Sequence, residues 1–412
     1  FTSALLVILQ WACVKYHTVV PLGAAQPSHT CNDWTDMKIA LLGHGTVGQG
    51  VDRIIANRVR GVEVARILEL PERLTDPRMT SRFEDIVEDP EIELVVECMG
   101  GLEPARSFIV DALGAGKSVV TSNKAVVAAH FEEFAACAQS TGASLLIEAT
   151  CGGGIPWIAS IEKVRRIDEV TSFSGIMNGT TNFIIDAMVR QGTDFDEALK
   201  RAQEQGFAER DPSADIDGID VKNKTLIAAC VAFGCACTSE FPVTGLRTIT
   251  KADIDLFAAH GRTVKLLGRG VLRDGRYAVA VEPVALSSDT LEAHVPSNFN
   301  LVSLVGTTVG ELKFYGQGAG MLPTGNAIVQ DVIDYCEGRR PHYDFSADLS
   351  YDASLLRADY VLRTRATVEG ARPFGPAAVV VRDVTAEEAR RLLERACEED
   401  AASFMAALPK EA

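Results

Sequence analysis

The sequence predicts an α/β protein in three parts: a parallel, doubly wound sheet first, a mixed α+β unit second and a small α/β unit last. Three observations carry this reading. From Lys38 to Ile147, short apolar runs alternate with segments of helical period. The first run closes on Gly43-His44-Gly45-Thr46-Val47-Gly48, a G-x-G-x-x-G turn between a strand and a helix. After Gly152-Gly153-Gly154-Ile155-Pro156 the regular alternation stops.

The elements follow in order. Lys38 to Leu42 is a strand, and Val47, Val51, Ile54 and Ile55 recur at helical spacing behind the turn. Val62 to Leu70 and Leu94 to Cys98 read as further strands. Helix Glu103–Ala112 precedes strand Ser118–Thr121, and helix Ala125–Gln139 precedes strand Ser144–Ile147. Beyond the glycine-rich segment, Val170 to Met177 reads as a strand leading to a helix at Phe183–Arg190. Phe195 to Gln205 is helical with Asp194 at its N-cap, and Asp220 to Phe233 is a long helix. Strands follow at Tyr277–Val284 and Glu311–Tyr315, then a helix at Gly325–Cys336. The last unit holds strands at Tyr360–Val368 and Ala377–Val381 and a helix at Ala386–Glu399. The expected division is 37–155, completed by about 318–340; 156–317; and 343–412.

A chain of 412 residues is too long for one simple domain. Its 56 Asp and Glu outnumber 40 Lys and Arg, which argues against nucleic acid as a partner. Ten cysteines show no metal-ligand spacing, and Cys235 and Cys237 form CxC rather than CxxC. They read as reduced thiols of a cytoplasmic protein. The apolar run Ala4–Val14 is too short to span a membrane. Residues 1–36 read as an upstream translation or a disordered leader, outside the fold, with Met37 opening the first strand.

The glycine turn has a physical purpose. Gly43 permits the tight turn, Gly45 lets backbone approach a pyrophosphate, and Gly48 lets helix and strand pack closely. Thr46 and Val47 open the helix whose positive end meets the diphosphate. This is the pattern of a Rossmann-type dinucleotide-binding domain. Glu69, at the end of the second strand, suits the adenosine ribose of NAD. Arg73 close behind it suits the 2′-phosphate of NADP, and both readings stay open.

The other informative stretch is Glu209-Arg210-Asp211-Pro212-Ser213-Ala214-Asp215-Ile216-Asp217-Gly218-Ile219-Asp220, with Lys224 four residues on. Such a block of acids suits a small substrate bearing an ammonium group, and Glu209 and Asp215 are its candidate receptors. Asp220 and Lys224 share one helix face. Lys124 stands at the C-terminal end of a parallel strand, where doubly wound sheets place ligands. A substrate with a proton to lose needs a positioned group to take it, and Lys124 and Lys224 are the two candidates. Asn178-Gly179-Thr180-Thr181 opens a helix whose amides, at Gly179 and Thr180, suit a substrate oxygen. Rival readings are a calcium-like loop at Asp211, Asp215 and Asp217, a helix cap at Asp217 and a turn at Asp211-Pro212.

Together these motifs resemble the homoserine dehydrogenase family over about 37–340. The matching segments are Gly43–Val51, Thr121-Ser122-Asn123-Lys124-Ala125, Glu148–Pro156, Gly175–Asn182, Gly206–Lys224 and Gly318–Asp331. The resemblance implies reversible, NAD(P)-dependent interconversion of L-homoserine and L-aspartate 4-semialdehyde, on the route to threonine, methionine and isoleucine. It places both lysines at the reacting centre, with Lys124 for proton transfer, Lys224 orienting the substrate hydroxyl or sharing the relay and Asp220 holding Lys224 in place, and it gives the ammonium to Glu209. It adds Met99, Gly100, Ser122, Asn123 and Gly320 to the cofactor site. It also implies a homodimer and a sodium-type monovalent cation held largely by backbone oxygens at Glu148, Cys151, Gly153 and Ile155. Cys151 stands where a valine is usual, and Phe207 where a tyrosine is frequent. The C-terminal unit shows no clear pattern of an amino-acid-binding regulatory module. The rival functions are a catalytically silent dinucleotide sensor and another amino-acid semialdehyde oxidoreductase.

Overall fold

The computed structural model describes residues 37–409; the leader reading of 1–36 lies outside them. Six strands form the first sheet: β1 (Met37–Leu42), β2 (Val62–Leu68), β3 (Met79–Thr80), β4 (Ile92–Glu97), β5 (Ser118–Thr121) and β6 (Leu145–Leu146). Their order is β3-β2-β1-β4-β5-β6, and every pair is parallel. Ile39, Ala40, Leu41 and Leu42 are all buried, because helices cover both faces of the sheet. These helices are α1 (Thr46–Arg58), α2 (Glu84–Val87), α3 (Ala105–Gly114) and α4 (Lys124–Thr141). The strand order reverses between β1 and β4, which opens a crevice at the carboxyl ends of the strands.

The second sheet holds β7 (Val170–Ile176), β8 (Arg262–Arg273), β9 (Arg276–Ser287), β10 (Phe299–Gly306), β11 (Gly310–Gln317), β12 (Ser350–Tyr351), β13 (Arg357–Arg363), β14 (Arg372–Gly375), β15 (Ala378–Thr385) and β16 (Phe404–Leu408). The order is β11-β10-β7-β8-β9-β16-β13-β15-β14, with β12 beside β9. Its other helices are α5 (Trp157–Arg165), α6 (Gly179–Gln191), α7 (Phe195–Glu204), α8 (Ser213–Ile216), α9 (Ile219–Phe233), α10 (Lys251–Ala259), α11 (Met321–Cys336) and α12 (Ala386–Glu399). Nearly every residue of α9 from Lys224 onward is buried.

Helix α11 returns to the first sheet. An ideal Cβ at Gly50 of α1 would sit 2.8 Å from the Met321 carbonyl oxygen, so glycine permits this close docking. At the other end of the chain, β16-β13-β15-β14 has the 4-1-3-2 order of a split βαββαβ unit. The place of its first helix is taken by the turn-rich segment 364–371.

This unit is anchored through buried charge. The Tyr360 hydroxyl donates to Glu282 Oε2 at 2.8 Å, and Arg269 pairs with Glu282 Oε1 at 2.8 Å. Arg363 meets the buried Asp253 at 2.6 Å.

Of two capping expectations, Asp194 holds in position and Asp217 needs correction. Asp194 stands at the N-cap of α7 but makes no side-chain cap bond. Asp217 does not cap α9, whose N-cap is Gly218; it pairs with Arg247 at 2.6 Å instead.

Candidate active site

The crevice is built from strand ends inward. Gly43 leaves β1 with φ +92°, and a Cβ at Gly48 would lie 2.2 Å from the Gly43 carbonyl oxygen. Both positions therefore require glycine. A Cβ at Gly45 would meet nothing within 4 Å, so the loop presents an open cradle before the α1 amides of Thr46 and Val47. Beside it lies a cavity of about 450 Å³ lined by Gly43, Gly45, Glu69, Arg73, Met99 and Phe108, among others. Glu69 sits at the lip just past β2. Its Oε2 accepts from the His44 amide and its Oε1 from the Leu70 amide, both at 3.0 Å. Burial pushes its carboxyl up, but these amides and Arg73, 3.8 Å away, outweigh that and hold it below its ordinary value. His44, read as a plain loop side chain, meets Asp52 at 3.0 Å. Gly320 precedes α11 with φ +124°.

Glu97, at the end of β4, was not singled out from the sequence. It is fully buried, accepts from the Met99 amide at 2.8 Å and accepts from the Thr121 hydroxyl. Thr121 Oγ1 in turn accepts from the Asn123 amide at 3.0 Å, and Asn123 Nδ2 donates to the Gly101 carbonyl at 2.8 Å. This relay fixes the turn through Ser122 to Lys124 beside the strand end that carries Met99 and Gly100. Burial raises the Glu97 carboxyl despite these donors. The only sequence signal was an acid closing an otherwise apolar strand.

Lys124 begins α4, with Asn123 as its N-cap. Across the crevice, Asp220 in the first turn of α9 receives both lysines. Its Oδ1 lies 3.2 Å from Lys124 Nζ and its Oδ2 lies 2.8 Å from Lys224 Nζ. Lys224 Nζ also donates to the Met177 carbonyl at 2.7 Å, and its side chain is 9% exposed. The Lys124 side chain is 40% exposed, so it keeps an open face to the crevice. Asp220 raises the Lys124 ammonium above its ordinary value, against desolvation. Burial pushes Asp220 up, but Lys224, Lys124 and Asn178 together hold it well below the carboxylate range.

Asn178 organises the remaining acids. Its Nδ2 donates to Asp215 Oδ1 at 2.7 Å and to Asp220 Oδ2 at 2.9 Å, while its Oδ1 caps α6 at the Thr181 amide. Burial raises Asp215. Thr180 Oγ1 donates to the Phe207 carbonyl, tying Gly179-Thr180 to the acidic loop. Glu209 is exposed, one turn before α8.

The calcium-like reading fails. Asp211 accepts from the Ser213 amide, Asp215 from Asn178 and Asp217 from Arg247, so the three carboxylates do not converge. Among the described residues no set of three acidic, His or Cys side chains is placed to hold a metal ion.

At the hinge, both Glu148 carboxylate oxygens accept from the first amides of α5, Ile158 at 3.1 Å and Ala159 at 2.6 Å. Gly153 turns with φ +60° against Gly318, and Cys151 is buried with its thiol 3.5 Å from the Lys224 carbonyl. The Ile155 carbonyl already accepts from the Trp157 amide at 2.8 Å.

Comparison with known proteins shows the family. A family model described as homoserine dehydrogenase, NAD binding domain, matches residues 43–148, and one described as homoserine dehydrogenase matches 156–333. The chain belongs to the homoserine dehydrogenase family. The homoserine dehydrogenase of Synechocystis sp. is 40% identical over 315 residues, 72% of this chain and 73% of that protein. The crystal structure of a homoserine dehydrogenase from Thiobacillus denitrificans is 30% identical with a TM-score of 0.81, covering 91% of this chain and 98% of that one. A hyperthermophilic archaeal homoserine dehydrogenase in complex with NADPH is 27% identical with a TM-score of 0.64, covering 74% of this chain and 99% of that one. As a homoserine dehydrogenase the chain is an NAD(P)-dependent oxidoreductase of amino-acid biosynthesis. It acts on the CH–OH group that relates L-homoserine to L-aspartate 4-semialdehyde. No helix among the described residues is long and apolar enough to cross a membrane.

Proposed function

We propose that Lys124 carries the proton of this reaction and that Asp220 and Lys224 place the substrate oxygen before it. The observation that carries the reading is the double bridge at Asp220, one carboxylate between a sealed lysine and an open one. Bound nicotinamide supplies the hydride acceptor or donor. In the oxidising direction Lys124 Nζ takes the hydroxyl proton; in the reducing direction it returns one to the aldehyde oxygen. Lys224, already held by two acceptors, offers its remaining hydrogen to the same oxygen. Glu209, with Asp215 behind it, receives the substrate ammonium, and the amides of Gly179 and Thr180 receive a carboxylate oxygen. The deciding experiment follows NAD(P)H formation from L-homoserine with wild type and Lys124→Ala; undiminished turnover in the variant removes Lys124 from proton transfer.

The cofactor is held by Gly43, Gly45, Thr46, Val47 and Gly48 at its diphosphate, with Met99, Gly100, Ser122, Asn123, Lys124 and Gly320 along the crevice. The empty volume above Gly45 supports this fit. Glu69 favours NAD over NADP: an ionised carboxylate at the ribose position accepts from hydroxyls and repels a 2′-phosphate.

A monovalent cation at the backbone of Glu148, Cys151, Gly153 and Ile155 is the reading for the hinge; exchanging sodium for choline at constant ionic strength tests it. The functional units are 37–155 with about 318–340, 156–317 and 343–412. The chain works as a cytoplasmic homodimer joined through the second unit. Support comes from Tyr315, 53% exposed at the edge strand β11 and stacked on Phe299 at 5.2 Å. Light scattering on the eluting protein reads the oligomer directly.

A further inference from the structure

Three cysteines that hydride transfer does not use converge where α9 ends. Cys230 is in its last turns, Gly234 caps it in the left-handed conformation, and Cys235 and Cys237 follow. The Cys235 and Cys237 sulfurs are 3.5 Å apart, and the Cys237 thiol also meets that of Cys230. The Arg165 guanidinium packs on Gly234, where a Cβ would lie 2.3 Å from Nη2, and Arg165 donates to the Val231 carbonyl at 2.7 Å. A cation therefore sits beside Cys235. The Cys237 hydrogen bond and this guanidinium lower the Cys235 thiol, while burial opposes them.

A cavity of about 360 Å³ reaches Cys230 and Cys237, and the buried Cys235 sulfur lies 3.5 Å from that of Cys237. The cavity walls include Cys230, Cys237 and Leu226 on one side and His130, Phe131 and Glu133 of α4 on the other. The cluster thus lies between the two helices whose first turns hold Lys124 and Asp220.

We propose that Cys235 and Cys237 form a thiol–disulfide site that senses peroxide and adjusts the packing of α4 against α9, and with it turnover. The Cys235 thiolate attacks one peroxide oxygen, the O–O bond breaks and hydroxide leaves, giving a sulfenic acid. The Cys237 sulfur attacks that sulfenic sulfur, the S–O bond breaks, and water leaves with the Cys237 proton. Two thiols are oxidised by two electrons, and one peroxide becomes two waters. A disulfide across a single residue is strained, so a dithiol readily reduces it, as a reversible switch requires.

The test uses the full chain, exposed to a few equivalents of hydrogen peroxide, alkylated and digested with trypsin without reduction. Thr225 to Arg247 forms one tryptic peptide that contains all three cysteines. It should carry one alkyl group where the untreated peptide carries three, with an S–S bond in place of the other two, while turnover drops severalfold, and dithiothreitol should restore both. Cys230→Ser should still oxidise and Cys237→Ser should not; Cys397→Ser, on the remote α12, serves as the control. An unchanged peptide overturns the proposal, as does a disulfide with turnover intact. Equal loss of activity in Cys237→Ser overturns it too, assigning the effect to another thiol such as Cys151. Should Cys237→Ser not fold, Cys237→Ala answers the same question. Fragmentation of the wild-type peptide places the bond independently, and a Cys230–Cys237 bond rejects the pairing.

Discussion

Asp220 holds two lysines from two helices at once, Lys124 at 3.2 Å on one carboxylate oxygen and Lys224 at 2.8 Å on the other. The arrangement separates their tasks. Lys224 has spent two hydrogens on Asp220 and the Met177 carbonyl, whereas Lys124 has one partner and an open face. Lys124→Ala and Asp220→Ala should each lower kcat by about 10²-fold or more, the scale of lost acid–base help. Cofactor affinity, read by quenching or calorimetry, should hold in Asp220→Ala.

The same pair makes a pH prediction. Asp220 raises the Lys124 ammonium above its ordinary value. As an acid in the reducing direction, Lys124 loses activity as pH rises through that value. Asp220→Asn removes the charge that favours the ammonium, so the falling limb of kcat should move to lower pH. An unmoved limb would show that some other group titrates.

Glu209 is exposed at the acidic loop, while Asp215 is buried and tied to Asn178. A charge-assisted bond to the substrate ammonium is worth roughly 1.5–3 kcal/mol. Glu209→Ala should therefore raise KM for homoserine by about 10-fold or more with kcat nearly kept. A KM equal to wild type rejects its role.

Glu69 gives the cofactor prediction. Its carboxyl, held below its ordinary value, stands at the lip of the cavity, and on the proposed place of the ribose Glu69→Ser should shift the ratio of kcat/KM for NADP over NAD upward by about 10-fold, since removing one repulsive charge is worth on the order of 1–2 kcal/mol. A ratio that stays put places the ribose elsewhere.

The sequence made the first sheet legible because parallel strands covered on both faces read as unbroken apolar runs. The second sheet hid β8, one of its two 12-residue strands. In β8, Lys265 is buried yet donates to Asn182 Oδ1 at 2.7 Å and to the Val295 carbonyl at 2.9 Å. Arg269 is matched by Glu282 on the neighbouring strand. Gly268 and Gly270 leave room for Thr225 and for the Phe173 ring. Each of these residues argues against a strand locally, and each is answered by a partner distant in sequence. The local signal for this strand is Asp274-Gly275, both at positive φ, a two-residue hairpin turn that joins β8 to β9. In the site, the lysines, Asp220 and the glycine loop were legible as motifs. Glu97 and Asn178 were not legible as organisers, because their work lies in which distant amides and carboxylates they meet.

The final prediction concerns the buried Glu148 at the hinge. Burial pushes its carboxyl up to about 7 from an ordinary 4.5, although the α5 amides favour the anion. The folded chain therefore binds this proton more readily than the unfolded chain. Its contribution is most favourable below pH 4.5 and is lost as pH rises from there through 7. The shift corresponds to roughly 3 kcal/mol at full extent. Asp331, raised by burial and by the neighbouring Glu148 charge, acts with the same sign. Urea unfolding at mildly acidic and mildly alkaline pH should show wild type losing stability relative to Glu148→Gln as pH rises. The variant still offers Ala159 an amide oxygen, so it should fold. Parallel pH profiles for the two proteins would mean that Glu148 keeps its ordinary acidity in the hinge.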